Sequence, residues 1–534
     1  MRKFFYFFLF VFIFVPLISH SKLVDQNFPY LDEYNRLVSC EIIDRPFYGQ
    51  RFWTESKIAA QLSKIDVNKV SAHCPGLDVQ SVLNQLKPFL DQQKLIKKNK
   101  GTHFKWIDKL STSYRFLPKG DSNYNNNNRG QINSIINTFR EDKQGEVLGL
   151  GHALKINSAH NFSYKFQELV MKPAFDVLVS NSFNQIHDYR FTLDEGYLLF
   201  DVWHFNILLG RAPVIWGQRP EGGPIFTLNS RAIDQIQITH KNPFRLPWFF
   251  KHFGTLKVST IAGNLGPDQQ TFSWNYFAGL SLGIKPIKHL EYNLSHIFQF
   301  GGTGNGIPGI IPFTREFLGF FPQFSDVGIR GTNKLTELNM RYYIPSLMGF
   351  QGYLSYFMDD SNVSNGPAFK KHFLHNSSYQ AGFFISCFAF SCSDIVRAEF
   401  TSSSPIAFRH NEFLDGWTIN KNIIGDPSGP DSYRFFVTWK RDWSQFLKTR
   451  LKLQWISREN KTYTINANGI SVDTTFDGPA ENRYTVLASH QYQFPQTRYR
   501  MNGAIGYEYI KNYQFVANAS VNSFLLELGL SYLF

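Results

Sequence analysis

Three arrangements in this chain of 534 residues could carry chemistry: a glycine run, a pair of adjacent carboxylates and four cysteines. Gly304-Asn305-Gly306-Ile307-Pro308-Gly309 fits G-x-G-x-x-G, in which glycines let the backbone approach a pyrophosphate at the start of a helix. The stretch from Gly301 to Pro312 contains two prolines and is not expected to open a helix, so it reads as a flexible loop. Asp359-Asp360 could suggest general acid and base, but neighbouring side chains on an extended backbone diverge, and Ser361 to Pro367 (SNVSNGP) reads as a turn-rich loop. Solvated charge is the better account. There is no G-x-S-x-G, no P-loop and no H-E-x-x-H, so neither an enzyme nor a cofactor is expected. An oxidising compartment permits Cys40–Cys74 and Cys387–Cys392 disulfides. On one extended strand Cys387 and Cys392 would lie on opposite faces, so that pair needs an intervening turn. No C-x-x-C or H-x-x-x-H pairing accompanies the cysteines, and no metal is expected.

Binding is better represented than catalysis. Thr314 to Phe324 (TREFLGFFPQF) and Phe408 to Trp417 (FRHNEFLDGW) mix aromatic rings with cations. Phe317, Phe320 and Trp417 could stack on sugar faces while Arg315, Arg409 and His410 meet carboxylates. Girdle anchoring or loop packing is the competing use of such aromatics.

The elements that would position these residues have two textures. Arg2 and Lys3 precede an apolar run from Phe4 to Ile18 and then Ser19-His20-Ser21, the order of a cleaved signal peptide over residues 1–21. Its loss lowers the net charge from +13 to +11, which suits an acidic polysaccharide and equally lipopolysaccharide or nucleic acid; nucleic acid is not expected as a partner. A mean hydropathy of −0.25 is too low for a helical membrane protein, yet 54 Phe and 25 Tyr are an unusual aromatic load. An outer-membrane barrel accounts for both, because only alternate residues face lipid and aromatic girdles mark the interfaces.

Leu526, Leu528, Leu530, Tyr532 and Phe534 alternate with Glu527, Gly529 and Ser531, and a closing strand of this kind is what barrel-assembly machinery reads; Leu530, Tyr532 and Phe534 are its core. The same period of two recurs at Leu451, Leu453 and Trp455, at Leu338, Met340, Tyr342 and Ile344, at Phe435, Val437 and Trp439, and at Met501, Ile505, Tyr507 and Tyr509. Alternation alone does not separate a barrel from a sandwich; export and the closing strand favour the barrel. Residues 22–145 read instead as a small helical domain on the periplasmic side. Thr54 to Ile65 and Asp78 to Lys98 are amphipathic, with Thr54 and Asp78 as N-caps and Pro88 expected to kink or end the second helix. Asn125 to Asn128 mark a loop, and residues 146–534 can supply sixteen to eighteen strands.

Glu195-Gly196-Tyr197, Gly210-Arg211 with Trp216-Gly217 (GRAPVIWG), Phe226 to Ser230, and Ile424 to Ser432, which contains Gly425, Asp426, Gly429, Asp431 and Ser432, form a set of motifs along the chain. Together they resemble the capsule assembly Wzi family. Arg45-Pro46 before Glu55-Ser56-Lys57-Ile58 is similar to that family's helical N-terminal region, whereas Asn229-Ser230-Arg231-Ala232 lacks the paired Asn and nearby Pro usual after Trp216-Gly217. The resemblance implies an outer-membrane barrel with a periplasmic helical domain that anchors capsular or related exopolysaccharide, among outer-membrane lipid and lipopolysaccharide. Glycines at bends and Trp216 at an interface suit strand-to-turn structure better than ligand contact. The rival reading is a porin in which Arg211, Arg341, Arg450 and Lys452 line an anion-favouring lumen.

Overall fold

The computed structural model describes residues 22–24, 30–65, 74, 76–99, 102–117, 151–164, 167–179, 186–269, 271–318, 332–359, 377–388, 392–410, 412–420, 422–459 and 478–534, with short strand pairs at 123–124/134–135 and 464–466/469–471. The leader, Asn125 to Asn128, Phe320, Asp360 and Ser361 to Pro367 lie outside the described residues.

One 18-stranded antiparallel sheet closes on itself. Its strands are β1 (His103–Leu117), β2 (Gly151–Tyr164), β3 (Gln167–Val179), β4 (Ile186–Val202), β5 (Phe205–Ala212), β6 (Ile233–His240), β7 (Thr255–Asn264), β8 (Tyr276–Ile287) and β9 (Leu290–Phe300). They continue as β10 (Asn333–Ile344), β11 (Phe350–Asp359), β12 (Ser377–Ile385), β13 (Asp394–Ser403), β14 (Ser432–Asp442), β15 (Leu447–Arg458), β16 (Glu481–Gln493), β17 (Tyr499–Lys511) and β18 (Ser520–Leu533). β18 pairs with β1, Leu530 opposite Thr112 and Leu528 opposite Tyr114, so the sheet has no free edge.

The period of two decides which face is wet. Leu338, Leu453, Phe435, Met501, Ile505 and Leu528 are exposed on the outside, while Glu337, Asn339, Arg341, Lys452 and Gln454 are buried within. A polar inner and apolar outer face is the arrangement of a membrane barrel and the inverse of a sandwich. Tight connections at 203–204 and 288–289 define one end; the loops at 213–232 and 265–275 and the segment leaving β9 at 301–318 define the other.

The expected boundary at residue 146 is too late, because β1 already belongs to the wall at His103–Leu117. Its alternation is interrupted by a register shift between Lys105 and Lys109, and a bulge of this kind breaks the pattern that marks a strand.

Helices α1 (Leu31–Ser39), α2 (Glu55–Leu62) and α3 (Val79–Lys98) sit at the short-turn end. Thr54 accepts from the Lys57 amide and Asp78 from the Ser81 amide, as N-caps. Contrary to expectation α3 runs through Pro88. Proline removes the bond to the carbonyl four residues back, that of Asn84, and both residues line an open cavity where that carbonyl can be hydrated. The helices bury Tyr34, Leu37, Ile58, Leu62 and Leu86 together with Tyr343, Cys387 and Cys392 of the barrel turns.

Charge sets the docking of α1 on β14 and β15: Asp32 pairs with Lys440 (2.9 Å), Arg36 with Asp442 (2.6 Å) and Glu33 with Lys448. Burial would raise the Asp32 carboxyl, but Lys440 and Lys448 hold it well below the usual range. Cys40–Cys74 and Cys387–Cys392 are both disulfides, the second in the turn between β12 and β13 that its spacing required.

Candidate functional site

The lumen is crossed by three segments that meet inside it. From the short-turn end the chain at 47–54 rises along β9, where the Tyr48 and Gly49 amides donate to the Glu291 carboxylate (3.2 and 2.7 Å) and Gln50 Nε2 donates to Asn293 (3.1 Å). From the long-loop end residues 213–232 turn inward to meet it: the Gly217 amide donates to Gly49 O (2.9 Å) and the Arg51 amide to Ile215 O (3.1 Å). Gln218 is then held by Asn339 (2.7 Å) and Arg341 Nε (2.9 Å), and the Arg341 guanidinium lies 4.4 Å from the centre of the Tyr48 ring. Arg341 therefore braces the filling of the lumen, and a pore-lining role for it does not hold.

Residues 404–431 form the third segment. The Thr227 amide donates to Ile424 O (2.8 Å), Asn229 Nδ2 to Ile423 O (2.9 Å) and Trp417 Nε1 to Ile225 O (2.8 Å). Val214, Trp216, Phe226, Phe277, Phe357, Phe408 and Trp417 make the apolar core between these loops and the wall. The loop at 265–275 laces over the top, with Gln269 Nε2 donating to Thr418 O (2.7 Å) and the Leu414 amide to Thr271 Oγ1 (3.0 Å).

A buried charge cluster ties the two inward loops to the wall. Glu399 of β13 receives Arg219 (3.2 Å), Arg434 (2.9 Å), Arg397 (2.9 Å) and the Tyr353 hydroxyl (2.5 Å). Asp426 receives Arg219 (2.9 Å) and Arg434 (3.0 Å), and Glu221 receives Arg397 Nη1 (2.7 Å). Arg219, Arg397 and Arg434 thus balance Glu221, Glu399 and Asp426, which is what makes burial tolerable. Burial pushes the Asp426 carboxyl up, but Arg434, Arg219 and the Ser428 hydrogen bonds outweigh it and hold the group down at about 2. Arg397 and Arg219 likewise keep Glu221 far below the usual carboxylate range.

A depressed carboxyl contributes stability that is complete above its unfolded pKa of roughly 4 and is lost as pH falls through its folded value. Asp426 alone is worth about 2 kcal/mol by this route. Protection of residues 404–431, corrected for the intrinsic pH dependence of amide exchange, is accordingly expected to fall between about pH 4 and pH 2 in wild type, and to fall less steeply in Asp426→Asn, where Glu221 still titrates. A flat wild-type profile would contradict the assignment.

The family-motif residues make close backbone contacts and buried hydrogen bonds. At Gly210 (φ +125°) an added Cβ would lie 2.4 Å from Gly196 O, and at Gly217 (φ +113°) it would lie 2.2 Å from the Gly223 Cα. Asp426 Oδ1 accepts from the Ser428 amide and hydroxyl (3.0 and 2.5 Å), and Ser432 Oγ donates to Gly429 O (2.8 Å) at the start of β14. Asp431 is buried at φ +53° and its amide donates to Ser404 O (3.0 Å). Gly425 packs so closely that a Cβ would meet Pro224 O at 2.2 Å. Arg211 makes a two-pronged pair with Asp234 (2.8 and 2.6 Å) on the outward face of β6, so it does not line the lumen.

Of the expected sugar-binding residues, Trp417, Arg409 and His410 are 0%, 2% and 8% exposed. They are packed within the inward loop, and no sugar ring can stack on Trp417. Phe317 and Arg315 lie on α4 (Ile310–Leu318), which follows Gly309 directly. The expectation of no helix fails there because Pro312 falls in the first turn, where the amide has no intrahelical partner to lose. α4 lies on the outside of the wall, with Phe317 stacked on Phe313 against Phe298 and Phe300, far from the inward loops. Asp359 is buried at the end of β11.

Sequence reasoning missed two other features. The loops at 213–232, 265–275 and 404–431 form a lid at the long-loop end, and on it the Asn420 side-chain amide sits between Arg231, 3.1 Å from Nη1, and the Asp268 carboxylate. At the short-turn end a cavity of about 800 Å³ opens between α3 and the wall, lined by Lys105, Lys172, Lys448, Arg498, Arg500 and the rings of Tyr30 and Phe89.

A closed 18-stranded barrel with an apolar outer band, a helical cap at one end and its own loops folded into the lumen is an outer-membrane β-barrel. Residues 141–523 match the family described as Capsule assembly protein Wzi, and the chain belongs to that family. In fold it is similar to Wzi of Escherichia coli, described as an outer membrane protein involved in group 1 capsule assembly and a carbohydrate-binding β-barrel. The TM-score is 0.65 at 16% identity, over 96% of this chain and 100% of that one. Weaker likenesses are to OccD3 (OpdP) of Pseudomonas aeruginosa, TM-score 0.44 at 10% identity over 81% of this chain and 93% of that one, and to OccAB2 of Acinetobacter baumannii, TM-score 0.42 at 9% identity over 80% and 98%. No curated protein matches the sequence.

Proposed function

We propose that this protein binds capsular or related exopolysaccharide and anchors it at the cell surface as a non-catalytic, lectin-like outer-membrane barrel. The observation that carries the reading is the occupied lumen: three of the described segments meet inside it, laced by backbone hydrogen bonds and a balanced charge cluster, and present a surface at the long-loop end. That feature disfavours the porin reading. Membership of the capsule assembly family supplies the substrate class.

Sugar contact is assigned to the outer side of the lid, where the Arg231–Asn420–Asp268 cluster offers a cation for uronate or pyruvyl carboxylates and planar polar groups for hydroxyls. The helical domain lies on the periplasmic side, because short turns face the periplasm in bacterial barrels. Residues 1–21 direct export, and Leu530, Tyr532 and Phe534 direct barrel assembly.

Deleting the gene is expected to move polysaccharide from the cells into the medium while total synthesis stays constant. A normal cell-bound amount would sink the proposal. Wild-type protein in planar bilayers is expected to show no steady large conductance, whereas a porin would.

A further inference from the structure

The outer wall between β8 and β10 breaks the rule that its neighbours obey. Even-numbered residues there point outward, as the exposed Tyr292, Leu294, Leu338 and Tyr342 show, yet His296, Phe298, Phe300 and Lys334 on the same face are buried. What buries them is α4. Phe313 and Phe317 pack on Phe298 and Phe300, with the Phe298 and Phe313 rings 5.3 Å apart. Glu316 closes over the polar groups: its carboxylate takes Lys334 Nζ (2.7 Å) and its backbone carbonyl lies 2.9 Å from His296 Nε2. Left bare, a histidine and a lysine on this face would meet lipid, at a cost of several kcal/mol near the midplane that falls toward the interface.

The opposite side of this segment is apolar. Ile307, Ile310 and Ile311 are 70%, 85% and 64% exposed, and no described residue covers them. They continue the lipid-facing surface upward at the level of Tyr276 and Phe300, whose rings lie 6.1 Å apart at the long-loop rim.

We propose that α4 is an interfacial anchor: it lies in the outer leaflet against the outside of the barrel, and Ile307, Ile310 and Ile311 contact lipid acyl chains. Arg315 is exposed on the same helix, placed for the headgroup layer. The segment at 307–318 is thereby committed to the membrane side of the rim. The inference does not depend on which sugar, if any, the lid binds.

The test uses full-length protein in phosphatidylcholine nanodiscs with a nitroxide label on Ile310→Cys or Ile311→Cys. Controls are Leu338→Cys in the lipid band and Asp268→Cys on the lid. Accessibility to oxygen relative to a water-soluble nickel chelate is expected to be several-fold higher at 310 and 311 than at 268, and close to that at 338. Values matching 268 would overturn the proposal by placing the helix in water. Loss of access to both reagents with dipolar broadening between labels would overturn it in favour of a second copy of the chain.

Discussion

Glu399→Ala is expected to unlatch the lumen while leaving the barrel closed. The Glu399 carboxylate is fully buried and accepts from three arginines and the Tyr353 hydroxyl. Its removal leaves Arg219, Arg397 and Arg434 sharing Glu221 and Asp426, three cations against two anions in a dry site. Breaking a buried pair in this way typically costs 3–5 kcal/mol, the order of magnitude expected here.

The wall is held by a closed hydrogen-bonded sheet and does not depend on the cluster, so the loss falls on the inward loops that carry Arg219, Glu221 and Asp426. Amide exchange within 213–232 and 404–431 should rise by about two to three and a half orders of magnitude, the factor that 3–5 kcal/mol implies at 1.4 kcal/mol per tenfold, while exchange in β16 to β18 stays put. Bilayer recordings should show intermittent conductance absent from wild type. Unchanged protection of both loops would mean that the cluster does not hold them.

The second large effect is expected at Trp417, where the outcome separates packing from sugar recognition. The indole is wholly buried, meets Phe226 edge-on at 5.6 Å and Phe277 at 5.4 Å, and donates to Ile225 O at 2.8 Å. Trp417→Ala leaves a large cavity and an unsatisfied buried carbonyl, with an expected cost of about 3–5 kcal/mol to the folded loops. Trp417→Phe retains most of the packing and forfeits the hydrogen bond, for roughly 1–3 kcal/mol.

Polysaccharide binding by Trp417→Phe should match wild type once the folded fraction is equal, because the ring never reaches the surface. Abolished binding with undisturbed exchange protection would restore the indole to the sugar site. Substitution of Arg231 or Asn420 on the outer side of the lid should give the reverse pattern, weakened binding without loosened loops.

What the sequence by itself determined was the wall. Alternation at Leu338 to Ile344, Leu451 to Trp455 and Leu526 to Phe534 is a property of residues two apart, so these strands and the closing strand follow from local pattern, and the membrane class follows once the export signal is added. The N-caps at Thr54 and Asp78 are local in the same sense. The family motifs were read as strand-to-turn features, and the pattern carried no sign that Asp426 would be buried against Arg219 and Arg434.

Only the tertiary structure decided where loops go. Whether 404–431 turns inward rests on distant partners such as Asp426 with Arg219, and Trp417 with Ile225, 192 residues apart. The same aromatic and basic composition at 314–318 folds to the outside, because the wall beneath it carries Phe298, Phe300 and Lys334. Composition states that a loop has rings and charges to satisfy, and the surface it lands on determines whether they meet lipid, lumen or sugar. β1 evaded the reading for a related reason: a bulge disrupts local period, and its membership of the wall is fixed by pairing with β18, more than four hundred residues away.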